Sequence, residues 1–169
     1  MKKNKISRFL KDLAPIFIVL ICILSLKITT VSGKSMNTTL NDKDYLVINK
    51  LAYLKKDPKR GDIIVFKSNL VDYDGNNKDL IKRVIGLPGD KLKIKNGKVY
   101  VNNEEFDTNN IYTSGDIDIV VPKNNVFVMG DNRGDSVDSR NKEVGVVNID
   151  NIVGKVFCRL YPLEKFKIF

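Results

Sequence analysis

Apolar positions along the chain fall into one long block followed by a series of short runs. The block covers Leu13 to Leu26 (LAPIFIVLICILSL) and continues through Lys27, Ile28, Thr29 and Thr30 to Val31. About 19 residues of helix make roughly 28 Å, enough to cross the hydrocarbon of a bilayer. Pro15 falls in the first turn, where its missing amide removes no helical hydrogen bond, and Lys27 near the far end can lay its stem along apolar surface and reach the headgroups. The pattern therefore predicts a polar tail over residues 1–12 and a transmembrane helix over residues 13–31.

Beyond the block the runs shorten and the period changes. Tyr45 to Asn49 (YLVIN), Ile63 to Phe66 (IIVF), Leu80 to Ile85, Val126 to Met129 (VFVM) and Ile152 to Cys158 are β-branched or aromatic and bounded by turn residues, the signature of strands. The stretch KLKIKNGKVYVNN alternates strictly, with Asn96-Gly97 supplying the positive φ values of a two-residue hairpin turn. Only residues 51–55 suggest a helical turn. The polar stretches SNLVDYDGNNKD (68–79) and FDTNNIYTSGDIDI (106–119) read as exposed loops. The expected fold is mostly β: one domain over residues 32–169 behind a single N-terminal helix.

Charge refines this picture. Of the net +9, a net +4 lies in the first dozen residues, where Lys2, Lys3, Lys5, Arg8 and Lys11 face only Asp12. That flank puts the N-terminus in the cytoplasm and everything after Val31 outside, and it suits anionic membrane lipid. A cleavable secretory signal fits the segment alone equally well, since small residues follow the apolar core. No basic stripe with interleaved aromatics appears later, so nucleic acid is not an expected partner. Cys22 and Cys158 are far apart, with the first inside the apolar block, so no disulfide is expected between them. Without histidine or a CxxC pair, no metal site is expected either.

Three polar clusters interrupt the apolar pattern: Ser35-Met36, Lys82-Arg83 within IKRVIGLPGD, and GDNRGDSVDSR from Gly130 to Arg140. Singly, each has an ordinary reading as a cap, a solvent-facing strand residue or a loop. Jointly they raise a chemical question. A serine hydroxyl needs a base to become a nucleophile, and in a chain without histidine the bases left are carboxylates or a neutral amine. Lysine qualifies only if its pKa falls far below about 10.4. Lys82, set between Ile81 and Val84-Ile85, has the apolar neighbours that would do this.

In this order, after an apolar span, the clusters resemble the type I signal peptidases, membrane-anchored serine proteases that remove signal peptides from exported proteins. SGKSMNTTL is similar to the family's serine box, GDIIVF to a strand that follows it, KRVIGLPGD to its lysine box and GDNRGDSVDSR to its last box. The short stretch between Lys82 and Gly130 resembles the compact Gram-positive form. The resemblance implies an extracytoplasmic catalytic β domain and no cofactor. It implies Ser35 as nucleophile, Lys82 as general base, and Ser136 as a hydroxyl that hydrogen-bonds and orients the amine. Gly130 would permit close backbone approach, and Arg83 with Asp131, and Asp138 with Arg140, would be structural ion pairs. Shallow pockets for small substrate side chains would be walled by Val31, Met36 and Ile81. Secretory preproteins would be the substrates.

Two positions depart from the family pattern. Gly33 stands where some relatives carry a serine that helps stabilise the oxyanion, which leaves the Ser35 amide as the main donor. Thr38 stands where proline is usual, which touches no reacting group. Rival readings are another Ser/Lys protease of related fold, such as a self-cleaving repressor or a protease of conjugative transfer, and a non-catalytic anchored binding domain. A repressor would need a DNA-binding domain where this chain has its apolar block. A binding domain needs none of the three groups Ser35, Lys82 and Ser136.

Overall fold

The computed structural model describes residues 13–17, 23–71, 74–106 and 111–169. The basic tail, the middle of the apolar block and Cys22 lie outside them. Residues 13–17 and 23–25 are helical. Among the described residues no helix is long and apolar enough to cross a membrane.

The helix expected over 13–31 gives way to a strand at its C-terminal end: β1 spans Leu26–Thr30. The run of Ile28, Thr29, Thr30 and Val31 explains the switch, because branching at Cβ restricts χ1 in a helix and packs well on a pleated surface. Lys27 pairs with Asp79 at 3.3 Å instead of running to a headgroup. β1 pairs antiparallel with β2 (Tyr45–Asn49), Leu26 opposite Asn49 and Thr30 opposite Tyr45.

The chain continues through β3 (Ile63–Val71), β4 (Asn77–Gly86), β5 (Lys91–Lys95), β6 (Lys98–Val101) and β7 (Glu104–Glu105). After these come β8 (Ile117–Val120), β9 (Asn125–Met129), β10 (Val147–Asn148), β11 (Ile152–Tyr161) and β12 (Lys167–Ile168). One large sheet runs in the order β1-β2-β11-β3-β4-β9-β10, with β12 also on β11; a smaller sheet runs β7-β6-β5-β8. The alternating segment forms the β5–β6 hairpin as expected, with Asn96 at φ 53° and Gly97 at φ 77° in the turn.

Both stretches read as loops contribute strand. β3 and β4 extend the hairpin past Lys67, closed by Ser68 Oγ donating to the Lys78 carbonyl at 2.8 Å and Asn77 Nδ2 donating to the Ser68 carbonyl at 2.9 Å. The end of this hairpin is exposed, so its side chains are polar and the strand signal is lost. Ile117–Val120 pairs with β5, Ile117 and Ile119 packing on the small sheet's core while Asp118 meets Lys93 outside.

Three apolar clusters hold the sheets. Ile63 and Val65 pack with Val31, Met36, Leu40, Leu46, Ile48 and Val156, whereas Ile64 and Phe66, from the same strand, pack with Val84, Val126 and Val128. β3 is thus covered on both faces, which is why IIVF is a continuous apolar run. The third cluster, including Ile85, Leu92, Ile94, Val99, Phe127 and Met129, joins the two sheets. Met36 is 1% exposed, so the residue after Ser35 is anchored in the core.

Candidate active site

Ser35 sits on the irregular segment between β1 and β2, and Lys82 sits on β4, opposite Ile64 of β3. Met36 and Leu40 bury into the first cluster and fix the segment from below, while Asp42 Oδ1 accepts the Gly33 amide at 2.8 Å. The result brings Lys82 Nζ to 2.7 Å from Ser35 Oγ. Lys82 is 3% exposed, and its amine also donates to the Ile81 carbonyl at 3.0 Å. Its burial pushes the Lys82 pKa down to about 8, against the opposing pull of Asp138 and then Asp131.

The last cluster closes the site from the β9 side. Gly130 follows β9 directly, and a Cβ there would collide with Ser136 Oγ and the Ser35 carbonyl. Its amide donates to Asp138 Oδ2 at 3.0 Å. Asp138 is fully buried and held by Arg140 through Nε at 2.8 Å and Nη2 at 2.9 Å. Burial pushes this carboxyl up, but the Arg140 hydrogen bonds and the Gly130 amide outweigh it and hold it below its ordinary value. Arg83 donates to both Asp131 oxygens, at 2.8 and 2.6 Å, and to the Gly61 carbonyl at 2.8 Å. Both expected ion pairs are present, each tying the lysine strand or the following loop to the frame around Gly130.

Ser136 does not make the expected hydrogen bond to the amine. Its hydroxyl fills the space left by Gly130's absent side chain and is buried beside Asp138, whose carboxyl it helps hold low. Val31, Met36 and Ile81 line one cleft of about 300 Å³ together with Ser35 and Lys82. Thr29, Asp79, Asp135 and Val137 also line it and were not legible as site residues. Thr29 and Asp79 sit on plain strands that meet only in the fold, and Asp135 and Val137 reach the cleft from the loop after β9. Asn132 was missed as well. It lies within the quoted box, yet nothing in its spacing says that it reaches back to Lys34 and Ser35.

Over residues 6–161 the sequence matches the profile of "Signal peptidase, peptidase S26". The chain belongs to this family. As a peptidase S26 member it is a serine endopeptidase. It is 32% identical over 188 residues to signal peptidase IB of Staphylococcus aureus (strain COL), an alignment covering 98% of this chain and 94% of that one. A probable signal peptidase I-2 of Synechocystis is 38% identical over 141 residues, covering 80% and 63% of the two chains. The crystal structure of a signal peptidase I from Enterococcus faecalis V583 aligns with a TM-score of 0.49 at 29% identity, covering 60% of this chain and 97% of that one.

Proposed function

We propose that the protein removes N-terminal signal peptides from exported precursors by a Ser35/Lys82 dyad working at the outer face of the membrane. The observation that carries this is the 2.7 Å contact between a buried lysine amine and a serine hydroxyl at the floor of an open cleft. Nothing in a binding scaffold calls for an amine held out of water beside a hydroxyl, since burying that charge costs stability.

With Lys82 neutral, its nitrogen takes the Ser35 proton as Oγ attacks the carbonyl carbon of the bond to be cut. The tetrahedral oxyanion is met by the Ser35 amide. Lys82, now an ammonium, returns its proton to the leaving amine, and the acyl-enzyme remains on Oγ. Water then attacks the ester, Lys82 again accepting a proton, and Oγ is released with the proton restored. Ser136, whose buried hydroxyl lies beside Asp138 and makes no bond to the amine in the resting arrangement, is our candidate for steadying the ammonium once it has given up its hydrogen bond to Oγ. Small side chains of the substrate would face Val31, Met36 and Ile81, with the precursor extended between β1 and β4.

The test is cleavage of a precursor carrying an Ala-x-Ala site, followed by mass spectrometry, with the full chain in detergent beside Ser35→Ala and Lys82→Ala. A single cut after the second alanine by the unmodified chain alone supports the reading. Cleavage by Lys82→Ala at the same rate would remove the dyad, and silence of all three across several precursors would remove the substrate class.

A further inference from the structure

The oxyanion donor and the residue that aims it are separable in this fold. The Ser35 amide shares a peptide unit with the Lys34 carbonyl, and that unit is trans, so its N–H and C=O point in opposite directions. Whatever holds the carbonyl therefore aims the amide. Lys34 O accepts Asn37 N at 3.1 Å, a bond within the same turn, and Asn132 Nδ2 at 3.1 Å, from 98 residues further along the chain. The Asn132 amide donates in addition to the Ser35 carbonyl at 3.0 Å, fixing the next peptide unit.

Asn132 holds two consecutive peptides at once. It is the N-cap residue of a short 3-10 turn, Arg133–Asp135, a place where asparagine commonly bonds its own turn. Here its side chain makes no capping bond and reaches across to Lys34. Asn132 does not line the cleft, whereas Lys34 and Ser35 do. It holds the Lys34–Ser35 peptide from the carbonyl side, which leaves the Ser35 amide on the side away from Asn132. With Gly33 two positions before the nucleophile, no hydroxyl there shares the load.

We infer that Asn132 is the positioning residue of the oxyanion site: its side-chain amide sets the tilt of the Lys34–Ser35 peptide and so aims the Ser35 N–H at the developing negative charge. This rests on the proposed Ser35 chemistry. Losing an oxyanion donor outright costs about 10²- to 10³-fold in turnover, and mis-aiming one while keeping it costs a part of that, about ten- to fiftyfold.

The experiment compares the full chain in detergent with Asn132→Ala and Asn132→Asp, the second of nearly the same shape but unable to donate to Lys34 O. Four quantities are read: kcat and KM on the Ala-x-Ala precursor, the pH midpoint of kcat/KM, affinity for a peptide boronic acid, and affinity for the product peptide. The boronic acid adds Ser35 Oγ to boron, the hydroxyl proton passing to Lys82, and yields a tetrahedral anion in place of the transition state. The expected result is a ten- to fiftyfold fall in kcat matched by the same fall in boronate affinity, with KM and product affinity within about twofold and, in Asn132→Ala, which adds no charge beside Lys82, an unmoved pH midpoint. A merely structural role would lower product affinity or shift the Asn132→Ala midpoint as the cleft loosens, and that outcome overturns the inference. So does a kcat equal to the unmodified chain in either variant. If the unmodified chain cuts no precursor, the Ser35 reading falls first; if it cuts and the variants match it, the inference alone falls.

Discussion

Lys82 is the residue on which burial, charge and chemistry act most directly. With its pKa near 8, about a tenth of the amine is neutral at pH 7, and the neutral form is the one that can accept the Ser35 proton. Turnover is therefore expected to rise tenfold per pH unit below about 8 and to level above it, read as kcat/KM between pH 6 and 10. Lys82→Arg keeps the charge but stays protonated and should lose activity entirely. The same burial costs stability, and the sign follows from proton counting. Between about pH 8 and 10.5 the unfolded chain holds a proton on this amine that the folded chain has released, so stability rises with pH across that window and the cost is complete below it. The size is up to about 3 kcal/mol. Lys82→Met should then be inactive yet more stable than the unmodified chain at pH 7, with the difference gone by pH 10.5, measured by urea unfolding. A variant no more stable at pH 7 would mean that the buried amine carries no such cost. Gly130 supplies the complementary case. Alanine there would press on Ser136 and the Ser35 carbonyl, and a loss of turnover of a hundredfold or more is expected with the dyad residues still in place.

At the scale of elements, what the sequence showed depended on whether an element buries an apolar face. β2, β3 and β9 bury theirs, and YLVIN, IIVF and VFVM read as strands on sight. β1 has the same β-branched composition but follows an apolar block without a break, so period and length favoured a helix until β2 provided an edge. The outer ends of β3 and β4 carry polar side chains into solvent and left no periodic trace, and β8, though its Ile117 and Ile119 alternate with Asp118, is only four residues long inside a polar stretch. The Ser35 segment shows the same limit. Its serine was legible, but what holds it comes from far along the chain. Arg159, on β11, donates to Asp44 at 3.0 Å and to the Thr39 carbonyl at 3.0 Å, joining the segment to that strand, which lies beside β2, in a buried ion pair. Removing one partner leaves the other charge buried alone, a loss of roughly 3 to 5 kcal/mol. Asp44→Ala and Arg159→Met are each expected to show that loss in urea unfolding. The double variant Asp44→Leu/Arg159→Met should recover much of it, because no charge is left stranded. Full additivity of the two single losses would show that the pair acts as two independent contacts.

For the whole molecule the decisive boundary lies at Ser25, where helix gives way to β1. Because β1 begins at Leu26, any helix starting at Leu13 could hold at most about 20 Å at 1.5 Å per residue, against a hydrocarbon core of about 30 Å. A membrane anchor of that length would need either residues before Leu13 or a thinned bilayer. Leu26 to Thr30, paired with β2 as a strand, is not available to such a helix. Accessibility decides between this and a helix continuing to Val31. Ile16 and Ile28 are exposed on the protein surface at 65% and 61%, one in the helical stretch and one in β1. In a Cys22→Ser background, with Cys158 buried and so slow to react, Ile28→Cys should be labelled by a membrane-impermeant maleimide added outside intact cells, and Ile16→Cys should not. Shielding at both positions would restore the longer helix. Labelling of Ile28→Cys only after the cells are opened would place β1 and the cleft beside it on the cytoplasmic side, and would overturn the outward orientation on which the encounter with exported precursors depends.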